Sequence, residues 1–260
     1  MPFTVSHIAA VLPGYRPLSR AHVFTAAVIG SMVPDFGLLL PGSFARWQTH
    51  SLLALLTFCL PLGLMAYWLT QLLIRPALLE VLPDGAYLRL RAASPAASIR
   101  QLSAWLYAGA ALLLGAATHL IWDGFTHENA RGVRMFPLLT DYGPEMGGHS
   151  LHLYRWLQYG SSVVGLAVVA AALILWLRHA PAPIEPPIRR IARPERLAWL
   201  SAYILPPLLA VGWTVWHQTS IGQSPFASAW ALGWVALVAM RGAAASLLLV
   251  SVVIRARLAA

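Results

Sequence analysis

His119 and Asp123 stand four residues apart in the run His119-Leu120-Ile121-Trp122-Asp123, and a helix carries that spacing on one face. An imidazole and a carboxylate so placed suit zinc or another first-row divalent ion. His127 repeats the interval, provided the helix persists past Gly124. His50 opens a long apolar run in Gln48-Thr49-His50-Ser51, and Asp35 follows Pro34 at a predicted helix stop. His7 falls on a short N-terminal helix. The candidate ligands are therefore His7, Asp35, His50, His119 and Asp123, with His127 as a sixth and His149 nearby. A divalent metal lowers the pKa of water towards about 7, so the chemistry to expect is hydrolysis. Asp35 and Asp123 are the carboxylates to consider as catalytic, with Asp35 a general base if it is not itself a ligand.

Each residue also has a plainer reading. A histidine at the end of an apolar run is often an interfacial side chain, and His22, His152, His179 and His217 are assigned to that class. Asp35 could be a turn residue. The joint pattern is stronger than its parts, because acids at membrane depth are expensive and usually paired. Arg131 and Arg134 could hold a substrate phosphate beside the site or belong to a solvated loop. Ser51 reads as a helix-end or supporting donor, since no base accompanies it as a nucleophile. Arg241 either pairs within the helical bundle or ends its span early.

These residues are embedded in a chain that is 58% hydrophobic and 10% charged over 260 residues. Ordinary soluble domains carry about a quarter charged residues. All eighteen basic residues are Arg, and the net charge is +9. Such a balance could signal nucleic acid, but the chain lacks the polar residues to cover a water-soluble body, so no nucleic-acid partner is expected. A single cysteine, Cys59, excludes a disulfide framework. The composition predicts an all-α, polytopic membrane protein.

A membrane-spanning helix needs about 20 mostly apolar residues. Five segments qualify: Ser51 to Ile74, Ala104 to Trp122, Gly160 to Leu177, Ala198 to Trp216 and Ala229 to Ile254. Pro206-Pro207 should kink the fourth. Before them, Thr4 should cap a short helix to Leu12 and Ser19 a second helix to about Met32, stopped by Pro34. The stretch 23–40 reads as a packed or re-entrant helix, with a full extra span as the alternative. Three parts follow: residues 1–178 bearing the motifs, a Pro- and Arg-rich linker at 179–197, and two spans in 198–260. Eleven Arg fall in loop 75–103, in the linker with Arg178, and in the C-terminal tail; six fall on the other side. The positive-inside rule places those eleven, and the C-terminus, in the cytoplasm.

The segments Met1-Pro2-Phe3-Thr4-Val5-Ser6-His7, Gly30-Ser31-Met32-Val33-Pro34-Asp35, Thr49-His50-Ser51, His119 to His127 and Leu157-Gln158-Tyr159-Gly160-Ser161-Ser162 resemble a bacterial multi-span family of unknown function. That group is similar to inner-membrane metal-dependent hydrolases, some described as LexA-binding. More distantly, the order His, Asp, His, H-x-x-x-D is similar to the all-helical zinc-dependent phospholipase C fold. The resemblance implies His7, Asp35, His50, His119 and Asp123 as ligands of one or two zinc ions, with Asp123 bridging. His127 and His149 are the candidates for a further metal, although the His-x-x-x-Glu ending of that site is absent from the sequence. It also implies a bacterial inner-membrane location and a phosphoester or lipid-type substrate, such as a membrane lipid or an envelope precursor. The rival expectation is a non-enzymatic membrane protein, with a structural metal site or an undefined protein partner. A metal transporter is a weaker third, because the polar residues gather at one face.

Overall fold

A computed structural model of the protein describes residues 4–42, 44–93, 101–146, 149–181, 191–223 and 229–259. The fold is helical, with one two-stranded antiparallel sheet, β1 (Tyr142–Met146) and β2 (His149–His152). Helices α1 (Tyr15–Arg20), α2 (Phe24–Gly30) and α3 (Arg46–Thr49) precede α4 (Leu52–Val81). Then come α5 (Asp84–Ala93), α6 (Leu102–Thr126), α7 (Arg131–Met135), α8 (Leu153–His179), α9 (Arg193–Ser220) and α10 (Ala229–Ala259). Five of these are long and apolar enough to cross a membrane: α4, α6, α8, α9 and α10. The chain is a multi-pass membrane protein.

The helices outrun the apolar segments at most ends. Helix α4 continues through Arg75-Pro76 to Val81, and a π-helical stretch at Thr70–Ile74 directly before the proline loosens the ladder where Pro76 offers no N–H. Helix α9 starts at Arg193, five residues before its apolar run, and passes through Pro206-Pro207. Arg241 does not stop α10, and among the described residues it meets no acid. Its Nε donates to the Leu38 carbonyl at 2.8 Å.

The N-terminal expectations need correction. The first element is an eleven-residue 3-10 helix, Thr4–Gly14, instead of an α-helix ending at Leu12. Ser19 caps nothing; it lies inside α1, and His22 at φ 58° separates α1 from α2. A continuous helix cannot carry that left-handed residue. Asp35 lies on a second 3-10 helix, Val33–Leu38. Neither α2 nor this turn is long enough to span a membrane.

The chain forms two compact units, each with its own packing. The first comprises Met1–Gly37, Gly42–Met65 and Ile99–Trp176. Within it α2 crosses α6 backbone to backbone. A Cβ on Gly115 would lie 2.6 Å from the Ser31 amide nitrogen, and one on Gly30 would strike the Leu112 carbonyl. Small residues at such a crossing substitute close van der Waals contact for the hydrophobic drive that lipid does not provide. Gly165 of α8 gives the same access to Ser6, whose Cβ would stand 2.9 Å from an added methyl.

The second unit comprises Leu38–Pro41, Ala66–Ser98 and Leu177–Ala260. Ala77, Val81, Ile191, Tyr203 and Ile254 form its core, and the Tyr203 hydroxyl shares a 2.9 Å hydrogen bond with Ser251 Oγ. Gly242 lets α10 approach Pro207 of α9, where a Cβ would stand 3.0 Å from the proline Cα. Residues 182–190 of the linker lie outside the described residues.

Candidate metal centre

Three spans reach the cluster with one end each: α4 begins just after His50, α6 ends with Asp123 in its last turn, and α8 begins beside Gln158. The N-terminal 3-10 helix brings His7, and the Val33–Leu38 turn brings Asp35. Because α2 lies against α6, the free carbonyl of Ser31 meets His119 Nδ1 at 2.8 Å. A carbonyl can only accept, so Nδ1 carries the proton and Nε2 keeps a bare lone pair.

That lone pair has company. His119 Nε2 lies 3.8 Å from Asp35 Oδ1 and 3.6 Å from Asp123 Oδ2. His50 Nε2 lies 3.3 Å from Asp35 Oδ1 and 3.5 Å from Asp123 Oδ2. Most of these contacts are too long for hydrogen bonds. A tetrahedral zinc with ligand bonds of about 2.1 Å has ligand-to-ligand edges of about 3.4 Å. Four edges of such a polyhedron are therefore present. On the other side of Asp123, Oδ1 lies 3.7 Å from His7 Nε2 and 3.5 Å from His127 Nδ1. The Nε2 atoms of His7, His50 and His119, and Asp123 Oδ1, are buried and have no hydrogen-bond partner. Buried polar atoms are rarely left so. Cations on the two sides of Asp123 would satisfy all four, and the donor set fits zinc.

The surrounding groups set orientation and charge. Thr4 donates to Asp35 Oδ2 at 2.7 Å, which turns Oδ1 towards His50 and His119. Burial pushes the Asp35 carboxyl up, but His50, His119 and the Thr4 hydroxyl outweigh it and hold the group below its ordinary range. Thr49 Oγ1 lies 2.6 Å from His50 Nδ1. Arg46 donates to Asp123 Oδ2 at 2.8 Å while its side chain stays 47% exposed. The centre is thus open on the Arg46 side and closed around His7 and His119, which are 3% and 0% exposed.

His127 has a more conditional place. Arg155 Nη1 donates to Gln158 Oε1 at 3.3 Å, leaving the Gln158 amide nitrogen 3.2 Å from His127 Nε2. In this arrangement Nε2 accepts, so Nδ1 carries the proton and faces Asp123 as a donor. Rotation of the Gln158 amide exchanges the roles and makes Nδ1 a ligand. Burial pushes His127 down to about 4, so the ring is neutral at pH 7 in either arrangement.

His7 is also pushed down to about 4, first by burial and then by His119, which stacks on it at 3.7 Å. The unfolded chain takes a proton at His7 near pH 6.5, the folded metal-free protein only near 4. Stability is therefore undiminished by His7 above pH 6.5 and falls as pH drops from 6.5 towards 4. In metal-free protein with isotope-labelled histidine, the His7 ring is expected to titrate near pH 4 by NMR. A midpoint at 6.5 would show that it is not buried in this cluster.

The structure brings His7, Asp35, His50, His119, Asp123 and His127 together. Arg131 and Arg134 are exposed on α7, and among the described residues neither makes a hydrogen bond or ion pair to the cluster. The side chain of His149 lies outside the described residues. Arg46, Thr4 as a donor to Asp35, and the Ser31 carbonyl were not foreseen as parts of the centre. Their partners are distant in sequence, and a carbonyl carries no residue-type signal. No curated protein and no solved structure matches the chain. A family described as a domain of unknown function, DUF4184, matches residues 1–252, and the chain belongs to that family.

Proposed function

We propose that this is a metal-dependent membrane hydrolase, acting on a phosphoester or lipid-type ester at the membrane face. The observation that carries the reading is the convergence of unpartnered buried atoms from His7, His50, His119 and Asp123. Asp35, His50, His119 and Asp123 would hold one zinc, and His7 with Asp123 a second. Asp123 has one oxygen towards each group. A bound metal would supply Lewis acidity and lower the pKa of water at the site. The chain's own part is positional. Ser31 and Thr4 aim His119 and Asp35, and the walls around His7 exclude bulk water. Arg46 offers an exposed guanidinium at the open side, where an oxyanion would enter. The Arg distribution and the family resemblance support a bacterial inner membrane with the C-terminus in the cytoplasm, and the centre would then face outwards.

The depth of His7 and His119 also favours a second reading, a closed structural ion that staples the N-terminal segment to α6. Purified full-length protein loaded with zinc, manganese or magnesium and offered phosphomonoesters, phosphodiesters and carboxyl esters separates the two. Metal-dependent turnover that disappears in His119→Ala is expected. Absence of turnover, together with unfolding on chelation, would establish the staple instead.

A further inference from the structure

Resting on the hydrolase reading, we propose that the substrate is a lipid phosphate. Its phosphate is held by Arg46, and its alkyl chain lies in the apolar groove beside α3. The short helix α3 and its exit display two faces. Arg46 and His50, four apart, turn towards the centre, and Trp47 and Ser51, also four apart, line a groove of about 270 Å³. Phe44, Leu53 and Phe58 complete its apolar wall, and Trp47 and Leu53 are 68% and 67% exposed.

Three of the groove's side-chain oxygens are engaged by nearby backbone. Gln48 Oε1 accepts from the Ala45 amide at 2.7 Å, Ser51 Oγ accepts from Ala54 at 3.1 Å, and Thr57 Oγ1 donates to Leu53 O at 3.1 Å. The remaining lining is mostly apolar side chain, so the surface suits hydrocarbon. It also continues into the exposed Leu52, Leu53 and Leu56 of the first turns of α4, where a longer chain stays in lipid.

Charge selects the other end. Asp35 and Asp123 face a single guanidinium, and one divalent ion makes the set positive. An uncharged carboxyl ester brings no net charge to this field and no bidentate anion to a planar five-donor group, whereas a phosphate matches both. Arg46 is 2.8 Å from Asp123 Oδ2, so an oxyanion that it holds lies next to the metal ligands.

The probes are non-hydrolysable: decyl phosphonate, methylphosphonate and decanol, titrated calorimetrically into zinc-loaded full-length protein in detergent. Decyl phosphonate is expected to bind at least tenfold more tightly than either comparison. Arg46→Gln should weaken both phosphonates about 10- to 100-fold, and Arg46→Lys should recover part of the loss. Trp47→Ala, at an exposed position that should not disturb folding, should weaken decyl phosphonate alone. Equal binding of the two phosphonates, equal binding of decanol and decyl phosphonate, or an unchanged Arg46→Gln would each overturn the proposal. The expected pattern without turnover of any ester would refute the hydrolase reading and leave the lipid-phosphate site standing. Turnover of neutral esters without phosphonate binding would do the reverse.

Discussion

Protein carrying Asp123→Asn is expected to emerge from purification without its metal, whereas Asp141→Asn, on the exposed surface, keeps it. Asp123 addresses both halves of the cluster, with Oδ2 3.5 Å from His50 and 3.6 Å from His119, and Oδ1 3.7 Å from His7. Asparagine keeps the shape but removes the charge and points an amide NH2 among imidazole lone pairs. Structural zinc is held by about 10–16 kcal/mol across some four ligands, so losing one should weaken affinity about 10²- to 10³-fold. Metal content per chain by elemental analysis is the measurement. Stoichiometric metal in Asp123→Asn would place any ion elsewhere.

The second large effect concerns a methyl group. Gly115→Ala would ordinarily favour a helix by up to about 1 kcal/mol. Here the added carbon meets the Ala27 carbonyl, the Ser31 nitrogen at 2.6 Å and the Gly30 carbonyl carbon at 2.9 Å, all backbone atoms that cannot swing aside. Helix α2 would have to retreat, at an overpacking cost of about 1–3 kcal/mol. The retreat also pulls the Ser31 carbonyl away from His119, one turn along α6. Gly115→Ala should therefore lower both the melting temperature in detergent and metal retention. The same change at Gly160 or Gly212, where nothing stands within 4 Å, should leave both intact. Identical behaviour at all three glycines would mean that α2 does not cross α6 at this distance.

The membrane spans and the histidine–aspartate set were legible for one reason. In so apolar a chain, each polar residue costs enough to be noticed. Span ends were less legible, because hydropathy marks where lipid stops and not where backbone hydrogen bonds stop. Arg193, Pro194 and Glu195 already lie in a helix before the apolar signal begins. The break at His22 was hidden, since a left-handed histidine has no pattern that distinguishes it from a helical one. Arg46 was the costliest omission at the centre. Next to Trp47 it reads as an interfacial anchor, and its partner lies 77 positions away. Arg131 and Arg134 drew attention by nearness in sequence to Asp123, but α6 ends before them and the chain turns at Asn129.

The contacts that build the centre also impose a timetable on synthesis. Thr4 and Asp35 are 31 residues apart, so their hydrogen bond can form soon after both have left the ribosome. Ser31 must wait for His119, 88 residues later, and at roughly 5–20 residues per second that delay is about 4–18 s. Through that interval His7, Asp35 and His50 are an incomplete set, and the N-terminal 3-10 helix has no α6 to dock on. Insertion of α6 is therefore the committing event. It carries His119 and Asp123 to the waiting half-site, and the proposed centre is complete only once the second span is in place.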